Sequence, residues 1–129
     1  MEFKEEGVLS GFDSYIEKSR YHLAKGLRST LIKCVPLLYL LFDLKRTHID
    51  YFSLDTEGSE LSILKTIPFD KIRIDVLSVE WFIYRGSKNE SEEKRNNIIS
   101  FMNKTNLYNQ IVETNPLDLF FYRKDLPKW

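Results

Sequence analysis

The chain has 129 residues, 43% hydrophobic and 29% charged, which is the composition of one soluble globular domain large enough to bury a core. Its 19 basic and 19 acidic residues cancel, so no net field draws it to nucleic acid or to acidic lipid. The single cysteine, Cys34, excludes an internal disulfide, and its apolar neighbours Ile32 and Val35 predict a buried, inert thiol.

The opening residues, MEFKEEG, lack the basic and apolar regions of a signal peptide. The longest apolar run, Val35 to Phe42, is far short of the ~20 residues that a membrane span needs. A cytoplasmic location is the default expectation. Two N-x-[ST] sequons, Asn89-Glu90-Ser91 and Asn103-Lys104-Thr105, matter only if the protein enters the secretory route.

Gly7, Gly11 and Gly26 punctuate a polar opening stretch that has room for a helical turn around Tyr15 to Leu23. From Thr30 the pattern sharpens. TLIKCV is a short β-rich run stopped by Pro36, and a proline in a first helical turn opens the apolar LLYLLFDL segment. IDYFSLD, Ile49 to Asp55, is apolar almost throughout, as expected of a central strand covered on both faces. Leu61, Leu64 and Ile67 then recur at helical spacing until Pro68 breaks the pattern. KIRIDVLSVEW, Lys71 to Trp81, is rich in β-branched residues and predicts a second central strand. Asn89 followed by Glu92 matches an N-cap and its acidic partner, for a helix over 90–104 with Ile98, Ile99 and Met102 on its apolar face. LYNQIVET and LDLFFYRK, linked through Asn115-Pro116, lie too close in sequence to pair other than as an antiparallel hairpin. The order predicts an α/β fold, mostly parallel, with a C-terminal antiparallel hairpin, in a single domain over residues 1–129.

The stretch FSLDTEGSELSIL, Phe52 to Leu64, places acids where an apolar strand hands over to a helix, the end at which open α/β sheets hold their ligands. Asp55 falls at the carboxyl end of one predicted parallel strand, Glu57 in the turn after it, and Glu80 near the carboxyl end of the next. If the strands are neighbours, three carboxylates converge. Such a group raises its members' pKa values, giving a general base or a set of oxygen ligands for a hard cation such as Mg²⁺. The structural alternative is that acids in a first helical turn only stabilise the helix dipole. Gly58 suits either a close backbone approach to a ligand or the relief of a strained turn. Trp81, with Phe82 and Tyr84, either lines a pocket beyond the strand end or packs the rim. His22 and His48 lie outside any metal-ligand spacing, and His48 reads as a solvated loop histidine. No G-x-G-x-x-G turn, P-loop or G-x-S-x-G elbow is present.

At these residues the chain resembles the FkbM-type, S-adenosylmethionine-dependent methyltransferases. HIDYFSLDTEGSELSILKTIPFDKIRIDVLSVEW is similar to that family's central block: an apolar strand, D-x-E-G, x-E-x-x-[IL]-L, then a strand ending in V-E. The wording S-L-D-x-E-G-x-E and the preceding C-V-P-L segment resemble the animal Star-like branch, and NPLDLFFYRK resembles the closing hairpin. The resemblance runs from Ile32 to Lys124 and implies a Rossmann-like sheet and transfer of a methyl group to a hydroxyl of a small molecule or glycan. It assigns Asp55, Glu57 and Glu80 to the active-site rim, as the expected catalytic residues, beside which Gly58 and Trp81 are the candidates for the substrate rim. The family's cofactor half, with its glycine-rich loop, has no counterpart in this reading, so S-adenosylmethionine is implied as cofactor but not as bound by this chain alone. Without that half the strand carrying Ile49 to Asp55 presents an open edge, and self-association is expected. The second reading that the resemblance allows is a non-catalytic, Star-like binding module for a secretory-pathway cargo protein.

Overall fold

The computed structural model describes residues 2–4, 11–12, 29–31, 34–84, 86–111 and 117–127, with side chains from Cys34 onward. The turn expected at Tyr15 to Leu23, together with His22, lies outside the described residues.

Three short strands, β1 (Glu2–Lys4), β2 (Gly11–Phe12) and β3 (Ser29–Leu31), form an antiparallel sheet in the order β2-β1-β3. The expected strand at Thr30 is therefore present, paired with β1 through Thr30 opposite Phe3. Helix α1 (Leu37–Asp43) follows Pro36, whose φ of −59° and missing N–H suit the position ahead of a first turn. Leu41 is buried, whereas Tyr39, Leu40 and Phe42 are exposed. Cys34 is exposed, contrary to the expectation of a buried thiol. The approach to α1 runs along the surface, with Val35 also exposed, so apolar neighbours in sequence did not bring apolar neighbours in space.

The main sheet comprises β4 (His48–Leu54), β5 (Arg73–Glu80), β6 (Tyr108–Ile111) and β7 (Asp118–Arg123), ordered β4-β5-β7-β6. β4 and β5 are parallel, with Ile49 opposite Ile74 and Leu54 opposite Val79, and the short helix α2 (Glu60–Leu64) lies in the crossover between them. The closing hairpin is antiparallel as expected, and it folds back so that β7, not β6, pairs with β5. The result is a mixed α/β fold with one parallel pair and antiparallel strands beside it.

β5 is a central strand, as predicted. β4 is not: among the described residues it pairs with β5 alone and bounds the sheet. Its Tyr51 is 55% exposed. An apolar run shows what a strand tolerates on its faces, while its place in the sheet depends on which strands flank it.

Leu54, Leu64, Ile74, Leu77, Val79 and Phe121 form the centre of the core, joined by Ile98 and Met102 from helix α3 (Lys88–Thr105). The helix starts two residues earlier than the Asn89–Glu92 pairing predicts. Ser87 is the N-cap: its backbone is extended, its Oγ accepts from the Glu90 amide at 3.2 Å, and its own amide donates to Glu90 Oε2 at 2.8 Å. This reciprocal box satisfies two otherwise orphaned donors, which Asn89 inside the first turn does not. No helix among the described residues is long and apolar enough to cross a membrane.

Candidate functional site

The register carries Leu54 and Val79 side by side, so Asp55 and Glu80 leave neighbouring parallel strands at the same level. Glu57 comes back toward them because the chain turns sharply: Glu57 has a φ of 56° and Gly58 a φ of 117°, both left-handed. A left-handed conformation is strained for a glutamate and free for a glycine, so Gly58 serves here to relieve the turn. The outcome is that carboxylate oxygens of Asp55, Glu57 and Glu80 lie within 4.8 Å of one another. Asp55 is exposed, and the other two are partly buried. The three acids singled out in the sequence are thus brought together.

A fourth acid, which the sequence reading left out of the site, fastens this turn. Glu60, the first residue of α2, is fully buried. Its Oε1 accepts from the Thr56 amide at 2.8 Å and the Gly58 amide at 3.1 Å, and from Thr56 Oγ1 at 3.2 Å. These bonds hold the two left-handed residues in place and aim the Gly58 amide inward, at Glu60. Lys94 of α3 completes the arrangement, with its Nζ 3.1 Å from Glu60 Oε2 and 3.5 Å from Glu80 Oε2. The signal for Lys94 was present in the spacing. Lys94, Ile98 and Met102 recur every fourth residue, so a lysine occupies the buried stripe of the helix.

The two carboxyls that Lys94 touches respond differently. Burial would raise Glu60, but the Lys94 charge and the amides of Gly58 and Thr56 outweigh it and hold the carboxyl below its usual range. Glu80 lacks those amide donors. Burial pushes it up to about 7 against the opposing pull of Lys94, with Asp55, Glu57 and Glu60 adding like-charge repulsion. Near neutral pH it both accepts and releases a proton, as a general base must.

The three convergent carboxylates offer oxygen ligands of the kind a hard cation such as Mg²⁺ takes, but one of Glu80's oxygens is already engaged by the Lys94 ammonium. Trp81 packs beside the rim, edge-on to Phe82 with ring centroids 6.3 Å apart, and the Arg95 guanidinium lies 5.6 Å from its ring centroid. The Trp81 indole N–H is buried with no hydrogen-bond partner among the described residues. Tyr84 is exposed.

His48 is not a loop residue. It opens β4, and its Nε2 lies 2.9 Å from Asp75 Oδ2 and 4.0 Å from Asp50. Arg73 also pairs with Asp75 at 2.7 Å, and Asp125 accepts from both Arg73 and Arg123. A polar cavity of about 230 Å³ lies beside this ladder, lined by Thr47, Lys71, Arg73 and Arg123 among others. It lies at the start of β5, away from the acids that follow β4 and end β5.

No curated protein and no solved structure matches the chain. The family described as the methyltransferase FkbM domain matches residues 7–114, well over half the sequence, and takes in both strands and the turn that build the acidic rim. The chain belongs to the methyltransferase FkbM domain family.

Proposed function

We propose that the chain acts in methyl transfer from S-adenosylmethionine to a hydroxyl, and that the carboxyl ends of β4 and β5 form the rim at which that hydroxyl is held. The observation that carries the reading is the convergence of Asp55, Glu57 and Glu80 at the ligand-binding end of a parallel strand pair. The strand order supports a Rossmann-like sheet, of which β4, β5 and the closing hairpin make up the acceptor side.

S-adenosylmethionine, when bound, supplies the methyl group on a cationic sulfonium. A rim of convergent carboxylates suits such a cation, and Asp55, exposed at the end of the bounding strand, is the acid best placed to face it. The residues of this chain act on the acceptor. Glu80, titrating near neutrality, would take the proton of the acceptor hydroxyl. Most of the acceleration in such a reaction comes from holding the two reactants in line, so the rim's fixed geometry matters as much as its base.

The test is a pair of near-isosteric variants, Glu80→Gln and Asp55→Asn, introduced at the matching positions of an FkbM-type enzyme with measurable turnover. Both should abolish methyl transfer while circular dichroism reports an intact fold. Near-normal rates in both would make the acids structural.

A further inference from the structure

Lys94 has a position that its sequence type does not favour. Its side chain is 13% exposed, on a helix stripe otherwise given to Ser91, Ile98 and Met102, which are buried. A lysine there must find compensation for its lost hydration, and it finds two carboxylates: fully buried Glu60 at 3.1 Å and Glu80, 14% exposed, at 3.5 Å. These two acids belong to different parts of the chain. Glu60 fastens the Thr56–Gly58 turn after β4, and Glu80 ends β5. One ammonium on a third element, α3, therefore joins the two halves of the rim.

We infer that Lys94 is the positioning residue of this rim, holding the turn after β4 against the end of β5 and filling the place that a divalent cation would otherwise take among these carboxylates. Its removal would take from Glu60 and Glu80 the ammonium that they share. The carboxylates of Asp55, Glu57 and Glu80, with oxygens within 4.8 Å of one another, repel one another and attract a metal ion, whereas an ammonium in contact with Glu80 and with neighbouring Glu60 repels a second cation at the same oxygens. The meaning of this for catalysis rests on the methyl-transfer reading. The cation-exchange behaviour does not.

The experiment is a calorimetric titration of the full chain with Mn²⁺, as wild type, Lys94→Arg and Lys94→Met. Wild type and the arginine variant should bind no tighter than millimolar, and Lys94→Met should bind tighter on the order of tenfold or more. Adding Glu80→Gln to Lys94→Met should reverse the gain. A lysine that only packs the helix would leave Mn²⁺ affinity unchanged in Lys94→Met, and that result overturns the inference. Micromolar Mn²⁺ binding by wild type, lost in Glu80→Gln, overturns it as well and would assign the rim to a metal. The wild-type arm can overturn the inference even if Lys94→Met fails to fold, and Lys94→Gln, read in the same titration, then carries the expected gain in Mn²⁺ affinity. Near-normal methyl transfer in the Glu80→Gln and Asp55→Asn variants of an active FkbM-type enzyme, measured separately, would sink the methyl-transfer reading and leave the role of Lys94 standing.

Discussion

Between about pH 4.5 and about pH 7 the folded chain loses the stability that Glu80 contributes, and Glu80→Gln removes most of that loss. In the folded chain burial lifts Glu80 from its ordinary 4.5 to about 7, even with Lys94 beside it. A carboxyl whose folded value exceeds its unfolded one holds its proton more tightly when folded. Its stabilising share is complete below about 4.5 and is lost as pH rises through about 7. A displacement of that size is worth about 3 kcal/mol at most, and with the side chain only 14% exposed little of it is screened by water. Glutamine keeps the volume, still accepts from Lys94, and carries no charge at any pH. Urea denaturation of both proteins across this range reads the difference, with the variant the more stable at the alkaline end. Parallel pH profiles for the two would refute the argument that burial governs Glu80.

Glu60→Ala strands the Lys94 ammonium and the amides of Thr56 and Gly58, so it should cost about 3–5 kcal/mol of unfolding free energy; a loss within experimental error would mean that water replaces the carboxylate without penalty. Because the folded Glu60 carboxyl is held below its usual range, its own share of stability is present above the unfolded value and is lost as the solution is acidified, a limb that Glu60→Gln should flatten. Gly58→Ala introduces a Cβ at a φ of 117°, and thermal unfolding should reveal a destabilisation of about 1–3 kcal/mol; an unchanged midpoint would show that the turn relaxes. The β4 edge with exposed Tyr51 should drive self-association at low micromolar concentration, reduced in Tyr51→Lys; light scattering from a clean monomer of the parent chain would show the edge to be covered.

Periodicity was enough to place α1, α2, the two parallel strands and the closing hairpin, because each is an apolar pattern bounded by a breaker such as Pro36 or Pro68. It also brought Asp55, Glu57 and Glu80 to one end of the sheet, since acids after neighbouring parallel strands have to meet there once the strands pair. What it missed depends on non-local partners. β4 looked central because its residues are apolar, but lateral neighbours are not written in a strand's own composition. Cys34 and His48 were misread for the same reason: the exposure of one and the Asp75 partner of the other are set by segments far along the chain. The cap at Ser87 was passed over although Ser87 and Glu90 carry the same spacing as Asn89 and Glu92, and only backbone geometry separates the two. Glu60 stands in the sequence as part of a motif and Lys94 carries no motif at all, and their joint role appears only when α3 is laid over the ends of β4 and β5.

The most direct test of the central claim is a titration of the isotopically labelled chain with S-adenosylmethionine, followed by amide chemical shifts. The account predicts binding weaker than micromolar, with shifts concentrated at 55–60 and at Glu80 and Trp81, and blunted by Asp55→Asn. Micromolar affinity, or shifts confined to Thr47, Lys71, Arg73 and Arg123 around the cavity at the start of β5, would contradict it.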